Sequence, residues 1–138
     1  MQQASVLHSI DYTDLIDKNF AWGGRGPDLY DCYGLVKEMY HRIGTELPEY
    51  KSSRDPNLIQ MMIIDGMKLF DKLQSPEPYC IVAFFIRPYI TSHIGFVLED
   101  AKRFIHIMIN SRVTVERINS DIWKDRVTFF GRWKKCIS

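Results

Sequence analysis

The run Asn19-Phe20-Ala21-Trp22-Gly23-Gly24-Arg25-Gly26-Pro27-Asp28-Leu29-Tyr30-Asp31-Cys32-Tyr33-Gly34-Leu35-Val36 is a glycine-rich loop that delivers a cysteine to the start of a helix. Asp31 is a good N-cap, the apolar residues Leu35, Val36, Met39, Tyr40 and Ile43 recur at helical spacing, and Gly44 stands where the helix should stop. Cys32 therefore falls in the first turn. There the unpaired backbone N–H groups and the positive end of the helix dipole favour thiolate over thiol, which predicts an activated nucleophile at neutral pH. The same N–H groups suit part of an oxyanion hole for acyl transfer. A lone cysteine is more often a small buried residue than a nucleophile. The loop argues otherwise here: Gly23, Gly24 and Gly26 permit close backbone approach, Pro27 stiffens the exit, and a turn-rich loop feeding a helix-start cysteine is a common catalytic geometry.

Outward from this run, Asp11 to Lys18 suits a short helix with Tyr12, Leu15 and Ile16 on one side. Downstream, a polar connection through Lys51, Ser52, Ser53 and Arg54 leads to Asp55 as N-cap and Pro56 at the first helical position. That second helix is expected to run through Leu58, Ile59, Met62, Ile63, Met67 and Phe70 as core packing, with its methionines filling gaps, or alternatively to flank a substrate groove. From Cys80 the pattern becomes β. Cys80 to Arg87, bracketed by Pro78 and Pro88, reads as a strand buried on both faces. His93 to Leu98, Arg103 to Met108, Val113 to Ile118 and Val127 to Trp133 follow, each rich in β-branched or aromatic residues. Helices followed by about five strands define an α+β class, with an antiparallel sheet packed against the Cys32 helix.

The turn around Glu99-Asp100-Ala101-Lys102 sets a geometric condition. A loop of two or four residues puts His106 opposite Gly95, so that His93 and His106 share one face as diagonal neighbours; a three-residue loop separates them. With even pairing, Gly95 leaves room on that face for the cysteine helix to approach, while Ile94, Phe96 and Leu98 point into apolar packing. The chemistry then follows from residue types: Cys32 as nucleophile, His93 as the base that takes its proton, His106 as the group that orients His93. His8 and His41 have no such context and read as structural or surface residues.

The loop and its cysteine resemble the signature of the NlpC/P60 cysteine peptidases, an aromatic-Gly-Gly loop followed by Asp-Cys-small-Gly-Leu-Val at a helix start. Ser92-His93-Ile94-Gly95-Phe96-Val97 resembles the family's histidine strand, and Arg103-Phe104-Ile105-His106 the strand of its third polar residue. The blocks occur in family order. The resemblance implies a papain-like fold, a Cys32, His93 and His106 site, hydrolysis through a thioester, and peptidoglycan stem peptides as substrate, often cut between D-glutamate and diaminopimelate or lysine. It also directs attention to Phe20, Trp22, Arg25, Tyr33 and Ser92 as substrate-binding residues. Three departures stand out. Phe20 replaces a tyrosine that many members place twelve residues before the cysteine near the oxyanion site, with Tyr30 or Tyr33 as replacement donors. Glu77-Pro78-Tyr79-Cys80 stands where Gly-Asp is usual, and Tyr33 stands where serine is frequent. Arg25, Lys51 and Arg54 flank the site and suit the carboxylates of such a peptide, although surface solvation is the commoner reason for each.

At 138 residues the chain reads as one domain spanning 1–138, and 46% hydrophobic with 13% aromatic composition supports a globular core. A net charge of +1, from 18 basic and 17 acidic residues, points to neither nucleic acid nor a membrane surface. The odd count of cysteines, Cys32, Cys80 and Cys136, without Cys-x-x-Cys spacing, reads as free thiols. A Cys/His/His zinc site is the rival use of the same side chains, but it gives the glycine loop no role; no cofactor is expected. Residues 1–10 lack the pattern of a secretory signal, which implies cytoplasmic synthesis and delivery to the cell wall by a phage, a tail-like particle or a secretion machine. Two further readings remain open: a papain-like amidase or acyltransferase on another substrate, and a non-catalytic phage-tail assembly component.

Overall fold

The structure is a computed structural model that describes residues 10–134; His8 and Cys136 lie outside them. Two short parallel strands, β1 (Asn19–Phe20) and β2 (Leu29–Tyr30), bracket the glycine loop. Helix α1 (Cys32–Arg42) follows, then α2 (Pro56–Met67). The remaining strands are β3 (Phe70–Leu73), β4 (Ile81–Arg87), β5 (Ile90–Val97), β6 (Arg103–His106), β7 (Thr114–Arg117) and β8 (Val127–Trp133). They form a six-stranded sheet in the order β3-β8-β4-β5-β6-β7, with every neighbouring pair antiparallel. The α+β expectation holds; the large sheet has one strand, β3, more than the five that the sequence indicates, and β1 and β2 form a small second sheet.

Local chemistry fixes both helix starts. The Asp31 carboxylate accepts from the Gly34 N–H at 2.7 Å, and Asp55 accepts from Asn57 at 3.0 Å with Pro56 at the first helical position. α1 buries Gly34, Leu35, Val36, Met39 and Tyr40, and stops at Ile43 ahead of Gly44. Leu35, Val36 and Met39 join Ile94, Phe96 and Leu98 in one apolar cluster, and the Tyr40 and Phe96 ring centroids are 4.9 Å apart. A second cluster on the far face of the sheet gathers Val82, Phe84, Val97, Phe104 and Trp123.

Four expectations need correction. Residues 13–17 form successive turns rather than a helix. Asp11 accepts from the Thr13 N–H and hydroxyl, and the backbone of Asp17 and Lys18 pairs with Val113. The second helix ends at Met67, because Phe70 pairs with Trp133 as the first residue of edge strand β3. That helix contributes no fully buried residue; Leu58, Met61 and Ile64 are exposed, and Ile59, Met62, Ile63 and Met67 face a groove. The alternative reading of this helix as a groove wall is therefore the one realised. Finally, the space above Gly95 is taken by its neighbours on β6, since a Cβ there would lie 2.8 Å from the Phe104 ring and 3.3 Å from the His106 Cβ. α1 packs instead on the Ile94, Phe96 and Leu98 face.

Candidate active site

Asp31 ties the glycine loop to α1. Besides capping Gly34, it accepts from the Gly23 N–H at 3.1 Å and from the Arg25 guanidinium at 2.7 Å. Gly34 makes the close approach possible: a Cβ on it would run into the Gly24 carbonyl oxygen, so the position tolerates no side chain. The loop, the cap and Cys32 thus form one rigid unit.

Cys32 meets the sheet at the backbone of Ile94, the residue after His93. The N–H groups of Ile94 and Tyr33 and the charge of Arg25 all favour the thiolate. They do not win. Although Cys32 keeps some surface open to the groove, burial, helped by the negative charge of Asp31, pushes its thiol up to about 12. The expectation of a populated thiolate is overturned: the helix start supplies the favourable groups, but desolvation outweighs them.

β5 and β6 pair with Phe96 opposite Ile105 and Val97 opposite Phe104, and the Leu98 N–H donates to the Arg103 carbonyl at 2.8 Å. The connecting loop therefore holds the four residues 99–102, the even case, and continuing the register places His106 opposite Gly95. His93 and His106 share a face, with His93 Nε2 2.8 Å from His106 Nδ1. Both are buried among rings, His93 between Phe84 and Trp123, His106 against Phe104 and Trp123. Burial and the adjacent His106 hold the His93 pKa well below its ordinary value; burial also lowers that of His106, against the opposing pull of Glu116.

Glu116 is the residue that sequence reasoning missed. Its Oε2 lies 2.7 Å from His106 Nε2, and its Oε1 accepts from the Trp123 indole N–H at 3.0 Å. On β7 it pairs with Phe104, two positions from His106 and on the same face.

Cys32 and His93 line one groove of about 450 Å³, together with Phe20, Trp22, Arg25, Tyr33 and Ser92. The other walls include Ile59, Met62 and Met67 of α2. All the binding candidates therefore reach the groove, but two are already occupied. The Arg25 guanidinium donates to Asp31, the Gly24 and Tyr50 carbonyls and both Glu49 carboxylate oxygens, which makes it a strap across the loop rather than an open carboxylate site. The Tyr33 hydroxyl donates to the Pro48 carbonyl, and Tyr30 is buried outside the groove, so neither replaces the hydroxyl that Phe20 lacks. Phe20 instead meets Trp22 edge-on, centroids 5.1 Å apart. Lys51, Arg54 and Arg87 also line the groove, with the Arg54 guanidinium carbon 5.3 Å from the Trp22 ring centroid.

Among the described residues no three His, Cys, Asp or Glu side chains converge as metal ligands; His93 Nε2 and both ring nitrogens of His106 are engaged with each other and with Glu116. Cys32 and Cys80 are free thiols, and Cys80 is buried with its pKa raised to about 11. No helix among the described residues is long and apolar enough to cross a membrane. His41 is exposed and bonds to Glu46.

A helix-start cysteine and a strand-borne histidine thus share one groove of an α+β domain. The chain belongs to the NlpC/P60 family, whose model matches residues 17–132. It is 22% identical over 137 residues to "Probable endopeptidase p60" of Listeria grayi, covering 95% of this chain and 24% of that protein. The corresponding p60 protein of Listeria monocytogenes is 23% identical over 120 residues, covering 85% and 22%. The chain thus spans about a quarter of the length of these relatives. Among solved structures, NlpC2 from Trichomonas vaginalis superposes with a TM-score of 0.65 at 19% identity, covering 91% of this chain and 50% of that one. A lipoprotein-like NLP/P60 protein from Staphylococcus aureus gives 0.62 at 18%, covering 86% and 37%.

Proposed function

We propose that this chain is a cysteine peptidase that hydrolyses peptidoglycan stem peptides through a thioester. The observation that carries the reading is His93, hydrogen-bonded at 2.8 Å to the buried His106, on the wall of the groove that Cys32 also lines. Family membership and the p60 relatives named as endopeptidases support the same class. The resting site holds a neutral thiol and a neutral imidazole. His93 therefore works as a general base at the moment of attack: it takes the thiol proton as the Cys32 sulfur bonds to the carbonyl carbon. The proton then passes to the departing amine, leaving a thioester. Water attacks next, giving a proton to His93, and the thiolate leaves and recovers that proton. N–H groups at the start of α1 stand beside the sulfur to stabilise the oxyanion. Arg54, held against Trp22, is the cation best placed for a carboxylate of the substrate.

The test is mass spectrometry of purified peptidoglycan fragments incubated with the protein and with its Cys32→Ala variant. New stem-peptide fragments from the unmodified protein alone support the reading and identify the bond; cleavage by neither removes it. The apolar side of the groove, with Trp22, Ile59, Met62 and Met67, favours a second reading, hydrolysis or transfer of an apolar acyl group. Turnover of such an amide or ester without stem-peptide cleavage decides for it. Delivery by a phage tail or secretion machine remains part of the first proposal, and co-purification with such a particle tests it.

A further inference from the structure

The histidine pair does not end at His106. We propose that Glu116 is a positioning residue which, through His106, fixes the tautomer of His93 and so selects His93 Nδ1 as the base for Cys32. This rests on the reading of His93 as the base, and the hydrogen bonds determine the rest in sequence. An ionised carboxylate only accepts, so His106 Nε2, 2.7 Å from Glu116 Oε2, carries the proton and donates it. A neutral imidazole carries one ring proton, and both imidazoles are held neutral by burial at neutral pH. His106 Nδ1 is therefore an acceptor. Its partner at 2.8 Å, His93 Nε2, must then be the donor, which leaves His93 Nδ1 bare and able to receive a proton. Both donations point toward the carboxylate, and the positive charge that forms on His93 during attack is met through His106 by a negative group.

Trp123 completes the device. Its indole N–H donates to Glu116 Oε1 at 3.0 Å, so the two carboxylate oxygens have separate duties. Trp123 is itself buried against both imidazole rings and Phe84, which keeps the donor in place. The consequence for a substitution is specific. In Glu116→Gln, the indole N–H requires the amide oxygen, so the amide NH₂ is turned towards His106 Nε2. That nitrogen becomes an acceptor, the His106 proton moves to Nδ1 and donates to His93 Nε2, and the His93 proton moves to Nδ1. The near-isosteric variant thereby reverses the whole chain and blocks the base.

The deciding experiment is long-range proton–nitrogen NMR of the full chain labelled with ¹⁵N histidine, recorded near neutral pH, which reports directly which ring nitrogens are protonated. The unmodified protein is expected to show His93 and His106 both protonated at Nε2; a proton on Nδ1 of either overturns the proposal, and this reading needs no variant. In Glu116→Gln both are expected to switch to Nδ1, and unchanged tautomers overturn it. The kinetic counterpart is a fall in kcat/KM of at least about tenfold, carried by kcat, and below the roughly 10⁴-fold that a wrong tautomer costs in a serine triad. Adding Trp123→Phe to Glu116→Gln frees the amide to turn its oxygen to His106 and is expected to restore part of that loss, whereas a merely structural role makes the double variant worse. Should the unmodified protein cleave no peptidoglycan fragment, the function falls while the NMR result still decides the tautomer.

Discussion

The two helices begin alike and end up doing different work. Each has an aspartate cap, and each presents a run of apolar residues. Yet α1 buries five residues and α2 none. α1 packs across the sheet through Tyr40, Met39 and Leu35, and the glycine loop is pressed against its first turn at Gly34. α2 lies beside the groove, with Ile59, Met62 and Met67 towards the cavity and Leu58, Met61 and Ile64 towards solvent. Capping and periodicity fix where a helix forms; what lies across from it fixes whether it is a foundation or a wall. Cys32, the proposed nucleophile, is mounted on the foundation.

The sharpest way to break this contrast is Gly34→Ala. The new Cβ meets the Gly24 carbonyl, a backbone atom that cannot step aside without moving the loop, so the expected loss is on the order of 4 kcal/mol, read from urea denaturation. Next, Leu35→Ala on α1 is expected to cost about 3 kcal/mol, while Leu58→Ala on α2 stays within about 0.5 kcal/mol. Equal losses would show that α2 is as integral as α1.

How much of this was legible depended on range. Asp31, Gly44, Asp55 and Pro56 act within a turn of themselves, and the sequence reading of each matches the structure, as does the position of Cys32 at the helix start. The register of His93 and His106 was conditionally legible because one short loop connects their strands. Glu116 was not, since residues 107–113 separate β6 from β7 and so long a connection conceals parity. Phe70 misled because it continues the helical spacing of α2, and only pairing with Trp133 reveals a strand. Which face α1 covers, and whether Arg25 and Tyr33 are available, are settled by distant partners such as Glu49 and Pro48. The charge state of Cys32 escaped for a similar reason: the helix start is local, but burial is a property of the whole fold.

Smaller effects refine the comparison at the site. His93 and His106 have folded pKa values below the unfolded histidine value, so as pH falls the unfolded chain binds protons first. Their contribution to stability is therefore complete above about pH 6.5 and declines below it. The urea midpoint is expected to fall between pH 7 and pH 5, and less steeply when both histidines are replaced by glutamine. Because the thiol titrates near 12, alkylation of Cys32 by iodoacetamide should accelerate about tenfold per pH unit from pH 7 to 9 without levelling off. A plateau near neutrality would restore the preformed thiolate. The mildest test is Asp31→Asn, which keeps an acceptor for Gly34 but removes the charge that opposes ionisation, and is expected to raise the alkylation rate a few-fold at fixed pH.

The protonated sulfur at the head of α1 has one more effect. Peroxide attacks the thiolate, so a cysteine held as thiol climbs slowly, if at all, towards sulfenic and then irreversible sulfinic acid. In oxidising surroundings the raised thiol is therefore expected to react slowly with peroxide.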